Sequence, residues 1–125
     1  MRISILGGGK GSPAGMCHRA AISIDRKHQI DSGIFSRNKM KNLDSFIEWK
    51  PECMNNFSDI KQLSSRKDID CLSIITPTPD HFSNIILAKD LYKNIICEKA
   101  LCCSLEEALE LRDKLKGKNL FVIYN

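Results

Sequence analysis

Residues 7–15 read Gly7-Gly8-Gly9-Lys10-Gly11-Ser12-Pro13-Ala14-Gly15. An apolar run precedes this turn, and a helix-period pattern follows it. Gly7 and Gly9 have no side chains, so the backbone can turn sharply and approach a charged group. Gly15 would let the following helix pack close to the sheet. The start of that helix offers amides and a positive dipole, which suits a pyrophosphate. The turn therefore reads as a dinucleotide-binding loop in which Gly7, Gly9, Lys10, Gly11, Ser12 and Gly15 surround the pyrophosphate. Its spacing departs from G-x-G-x-x-G, because three extra residues separate Gly9 from Gly15. A second candidate set is Phe35-Ser36-Arg37-Asn38. About 20 residues past such a turn, an acid would bond the ribose 2′-OH of NAD, and an Arg would suit the 2′-phosphate of NADP. No acid occurs there. Ser36 can donate a hydrogen bond and Arg37 can grip a phosphate bidentately, which favours NADP over NAD.

These residues need a scaffold, and the hydrophobic pattern supplies one. Residues 3–6 read as a buried strand. After Gly15, Cys17, Ala20, Ala21 and Ile24 fall on one face of a helix. Residues 30–35 form a second strand. Residues 43–49 look helical and stop before Pro51. A short strand is expected at 54–57, and Asp59 can cap a small helix carrying Ile60 and Leu63. Residues 69–75 are apolar with little alternation, as in a parallel strand covered on both faces. Thr76-Pro77-Thr78-Pro79 ends that strand. Residues 80–92 are helical, with Phe82, Ile85, Ile86 and Leu91 available to a core. Another strand covers 94–97. Ser104 and Glu107 form a capping box for the last helix, Gly117 stops it, and residues 120–124 make a final strand. Strands and helices alternate throughout. The expected fold is α/β: a doubly wound parallel sheet of about six strands, one dinucleotide-binding domain over residues 1–125.

Composition excludes several other classes. Apolar residues are 42% and charged residues 27%, as in an ordinary globular domain. The net charge is +4, but the lysines are interspersed with acids. Aromatics are only 6%, and no basic stripe suggests nucleic acid. No apolar run is long enough to span a membrane. No signal peptide is evident, so a cytoplasmic location is expected. The cysteines are Cys17, Cys53, Cys71, Cys97, Cys102 and Cys103. None forms a Cys-x-x-Cys pair, so reduced thiols are expected and no metal site is.

Four stretches, taken together and in order, resemble one family. They are the turn at 7–15 followed by His18-Arg19; Gly33-Ile34-Phe35-Ser36-Arg37; Ile69-Asp70 leading to Thr76-Pro77-Thr78-Pro79-Asp80-His81; and Cys97-Glu98-Lys99-Ala100-Leu101. The chain resembles the N-terminal domain of the glucose-fructose oxidoreductase and inositol 2-dehydrogenase family, in a branch with a long glycine turn. The resemblance implies a nicotinamide-dependent oxidoreductase acting on a CH–OH group of a sugar or polyol. It implies that Thr76, Pro77 and His81 line the cofactor cleft near the nicotinamide, that Lys99 is the catalytic-site lysine, and that Glu98 neighbours and tunes it. An ammonium there can hydrogen-bond the substrate oxygen as carbonyl and alkoxide interconvert.

Two departures stand out. Ala100 replaces the proline of a Glu-Lys-Pro motif, which removes a backbone restraint after Lys99. Thr78 stands where Thr-Pro-Asn-x-x-His has its amide. Family members also carry a second, mostly antiparallel domain that completes the substrate pocket, and no such domain is expected within these 125 residues. Either a second copy of the chain or a partner chain would then cover the face left open. Two functions follow from the resemblance. One is the NAD(P)-binding half of an oxidoreductase, incomplete for turnover alone. The other is a non-enzymatic cofactor-sensing or protein-interaction module. Outside the motif, His18 is expected to pack on the first helix, and His28 to be exposed.

Overall fold

A computed structural model describes residues 1–51, 57–63 and 68–124. Its sheet has five parallel strands: β1 (Arg2–Gly7), β2 (Gln29–Ile34), β3 (Cys71–Ile75), β4 (Asn94–Cys97) and β5 (Asn119–Val122), in the order β2-β1-β3-β4-β5. The helices are α1 (Pro13–Ser23), α2 (Lys39–Trp49), α3 (Ile60–Leu63), α4 (His81–Ala88) and α5 (Leu105–Lys114), with a 3-10 turn at Thr78–Asp80 before α4. The fold is thus the α/β sheet read from the pattern, with five strands among the described residues. The sixth, expected at 54–57, falls mostly outside them.

Side-chain alternation divides the core into two layers. Ile3 and Ile5 of β1, with Cys71 and Ile75 of β3, pack with Ile22 of α1 and Trp49 of α2. Leu6, Leu72, Ile74, Ile95 and Cys97 point to the opposite face and meet Leu63, Ile85, Ala88, Leu111 and Leu115. Every residue of β3 is buried, because this central strand is covered on both faces. At the far edge β5 is half-exposed, with Phe121 in solvent.

Several boundaries differ from the pattern, each for a physical reason. On α1 the buried residues are Gly15, His18 and Ile22, not the face through Cys17, Ala20, Ala21 and Ile24. Ile24 is 85% exposed. The Pro13 start and the close seat of Gly15 set the helix rotation, and His18 takes an inward position because it has polar partners there. α2 begins four residues earlier than expected, because Asn38 caps it by accepting from the Lys41 amide at 3.1 Å. It ends on left-handed Lys50 ahead of Pro51. α4 ends at Ala88, where the amides of Leu91 and Tyr92 both return to the Ala88 carbonyl. The capping box of α5 forms, with Ser104 Oγ accepting from the Glu107 amide at 3.2 Å. Glu107 reaches back to the amide of Cys103 rather than Ser104. The last strand occupies Asn119–Val122 rather than 120–124.

Candidate functional site

Strand order reverses between β1 and β3, since β2 lies outside β1 and β4 outside β3. Chains leaving the carboxyl ends of these two strands diverge to opposite sides and leave a crevice. A cleft of about 480 Å³ lies there. It is lined by Gly7, Gly8 and Ser12 of the glycine turn, Phe35, Ser36 and Arg37 after β2, and Ile75, Thr76, Pro77 and Asp80 after β3, over Leu6 and Ile34.

The glycine turn is built mainly by close approach. Gly7 has φ +89, and a Cβ there would lie 2.6 Å from the Ile75 carbonyl. The closest constraint is at Gly15, whose Cβ would stand 2.0 Å from the Gly8 carbonyl oxygen. Gly15 therefore seats α1 against the turn itself, whereas the sequence pattern places it against the sheet. Ser12 caps α1, its Oγ accepting from the Gly15 amide at 3.1 Å. Its own amide donates to the Gly9 carbonyl. The Lys10 amide donates to Ser45 Oγ at 2.8 Å, which anchors the turn to α2. Gly9 and the exposed Lys10 lie beside the cleft rather than in its lining, and Gly11 is open to solvent. Gly8, absent from the sequence-based selection, is in the lining. The arrangement fits a diphosphate: a wall without side chains meets the N-terminus of an eleven-residue helix, where dipole and amides favour an anion.

The end of β2 is held by Asn42. Its Oδ1 accepts from the amides of Phe35 at 2.7 Å and Ser36 at 3.2 Å, and its Nδ2 donates to the Phe57 carbonyl. Ser36 Oγ accepts from the Asn38 amide. Arg37 is 85% exposed and reaches across the cleft mouth, its Nη2 donating to Asp80 Oδ2 at 3.0 Å.

His81 lies elsewhere than in the cleft lining. It is fully buried, with Nδ1 2.7 Å from the Ala100 carbonyl and Nε2 2.6 Å from the Thr76 carbonyl. It thus pins the turn after β3 to the loop after β4. Asn84 Nδ2 donates to Thr76 Oγ1 at 3.0 Å and fixes the same turn. The Lys99–Ala100 peptide is cis. The contact between His81 and the Ala100 carbonyl anchors this position although its proline is absent.

Lys99 and Glu98 border two further hollows. Lys99, exposed, lines a hollow of about 420 Å³ with Ala100, Leu101, Val122 and Tyr124. Glu98 turns toward α1, where Oε1 lies 2.8 Å from His18 Nε2, and His18 Nδ1 lies 3.0 Å from Ser73 Oγ. His18 does pack on α1, but as the centre of a buried polar chain, and that chain borders a second hollow of about 420 Å³. His28 is half-buried, its Nδ1 3.3 Å from the N-terminal amine. Burial pushes the Cys97 thiol, next to Glu98, up to about 12, and the Glu98 and Cys102 charges add to this. Among the described residues, no group of His, Cys, Asp and Glu could hold a metal, and no helix is long and apolar enough to cross a membrane.

Comparison with known proteins agrees with this geometry. The model of an oxidoreductase family with an NAD-binding Rossmann fold matches residues 1–125. D-xylose 1-dehydrogenase (NADP(+)) of Hypocrea jecorina is 27% identical over 111 residues, covering 86% of this chain and 28% of that protein. Levoglucosan dehydrogenase of Pseudarthrobacter phenanthrenivorans is 36% identical over 66 residues, covering 53% of this chain and 17% of that protein. An inositol dehydrogenase homologue of Azotobacter vinelandii, solved with NAD+, superposes with a TM-score of 0.88 at 26% identity, covering 99% of this chain and 34% of that one. The chain spans about a third of the length of such relatives. With a glycine turn, a switch-point cleft and a Glu98-Lys99 loop in one sheet, and a family match over its whole length, this chain belongs to the Rossmann-fold oxidoreductases of the glucose-fructose oxidoreductase and inositol dehydrogenase family, as their NAD(P)-binding domain.

Proposed function

We propose that residues 1–125 act as one dinucleotide-binding domain of an oxidoreductase that works on a CH–OH group of a sugar or polyol, with NADP favoured over NAD. The observation that carries the cofactor preference is the end of β2. An arginine and a serine line the cleft there, where an acid would be needed for the ribose of NAD. The substrate class is supported by the names of the relatives, which act on xylose and levoglucosan.

The residues divide the work as follows. The turn from Gly7 to Gly15 and the start of α1 bind the pyrophosphate. Ser36 and Arg37 receive the 2′-phosphate. Thr76 and Pro77 form the wall toward the nicotinamide, and His81 positions that wall from behind through the Thr76 carbonyl. The bound nicotinamide supplies hydride acceptance or donation. Lys99 donates a hydrogen bond to the substrate oxygen and stabilises its charge as carbonyl and alkoxide interconvert. Glu98, held by His18, sets the approach of Lys99.

The test is a titration of this chain with NADPH and NADH, followed by fluorescence. NADPH should bind more tightly. Arg37→Ala should weaken NADPH by roughly tenfold, as expected for a lost charge-assisted bond, and leave NADH within about twofold. Equal losses would remove the 2′-phosphate assignment. Failure of both cofactors to bind at millimolar concentration would remove the binding role.

A further inference from the structure

Asp80 occupies the first position before α4, where a carboxylate commonly caps the helix by accepting from its amides. Here it makes no such bond. Its carboxylate is turned instead to Arg37, 43 residues away, with Nη2 donating to Oδ2 at 3.0 Å. The two partners are not equally free. Asp80 ends the short 3-10 turn that follows Pro77 and contains Pro79, its amide donating to the Pro77 carbonyl at 2.9 Å, and it is 31% exposed. Arg37 is a long, solvated arm. The pair closes over the mouth of the cleft that both residues line.

We propose that Asp80 is a specificity-determining residue that competes with the cofactor's 2′-phosphate for Arg37. This rests on the assignment of Arg37 to that phosphate. A phosphate entering beside Ser36 must draw the guanidinium from Asp80 or share it. It must also accept a fixed carboxylate close to its own charge. NADH makes neither demand. Asp80 thus narrows the preference that Arg37 creates and keeps NADH usable.

The experiment measures NADPH and NADH dissociation constants for the wild-type chain, Asp80→Asn, Arg37→Ala and the double variant. An exposed ion pair of this kind is weak, so Asp80→Asn should tighten NADPH relative to NADH by about two- to fivefold. In the Arg37→Ala background the same substitution should do nothing. Asp80→Ser, which keeps a side chain able to cap α4, should match Asp80→Asn, and a melting curve without cofactor reports that each variant is folded. Unchanged or weaker NADPH binding in both Asp80 variants overturns the proposal. So does a gain that persists without Arg37, since it would reflect general charge rather than competition. If Arg37→Ala weakens both cofactors equally, the 2′-phosphate assignment fails and takes the proposal with it. If that variant is selective while the Asp80 variants are silent, only the competition fails.

Discussion

Adding one methyl group at Gly15 would set a carbon 2.0 Å from the Gly8 carbonyl oxygen, and backbone cannot yield as a flexible side chain can. Gly15→Ala should therefore cost about 3 kcal/mol or more, at the upper end of overpacking effects, and should abolish dinucleotide binding. Gly11→Ala is the control. Its φ is +83, but nothing lies within 4 Å of the added carbon. Only the left-handed backbone resists, at about 1–2 kcal/mol. Urea unfolding of the two variants checks the difference. The buried thiols make a separate prediction. Burial pushes Cys71 up to about 11, against a smaller lowering by a backbone hydrogen bond, and pushes Cys97 up to about 12. The ordinary value for a thiol is 9.0, and the unfolded chain should titrate close to it. Above that pH the unfolded state loses protons that the folded state keeps, so stability falls as pH rises. The slope should approach about 1.4 kcal/mol per pH unit for each thiol. Denaturation midpoints between pH 8 and 11 measure it, and a flat profile would contradict it.

Helices α2 and α5 are each capped at the start by a single side chain. Ser104 caps α5 and Asn38 caps α2, each through one side-chain oxygen. Ser104→Ala should destabilise by about 1 kcal/mol, with an unchanged denaturant slope, as expected when native contacts are lost without altering the unfolded chain. The alternation of strands and helices was legible because each buried face imposes its own period. β3 was plain for that reason, being apolar on both sides. Boundaries were less legible. α1 was rotated from its apolar pattern because His18 finds Ser73 and Glu98 inside, and those partners lie 55 and 80 residues away. α2 began early because a single Asn outweighed the weak periodicity of its first turn.

For the whole molecule, the decisive property is the reversal of strand order between β1 and β3, since it gathers three separate turns around one cleft. The position and glycine content of the turn could be read locally, but what its residues approach could not, since Gly7 lies against Ile75 and Lys10 is tied to Ser45. Nor could the Arg37–Asp80 pair, the Asn42 clamp on the end of β2 and the partners of His81. Each joins residues that only the topology brings together, and no local pattern records them. Cofactor binding should act on the molecule as a unit. At a hundred times its dissociation constant, NADPH should stabilise the folded chain by about 2.7 kcal/mol and raise the melting midpoint by roughly 10 °C. A scanning melt with and without cofactor tests this.

His81 gives that unity a practical side. One imidazole lies between the carbonyls of Thr76 and Ala100, so the turn after β3 and the Lys99 loop share an anchor. His81→Phe removes the ring nitrogens that meet these two carbonyls, and the lost hydrogen bonding should cost about 1–2 kcal/mol. In a mutational scan scored on turnover alone, position 81 would be indistinguishable from a proton-transferring histidine. A melting curve recorded beside the assay would tell them apart: a chemical group lost would spare the midpoint, whereas an anchor lost would lower it together with cofactor affinity.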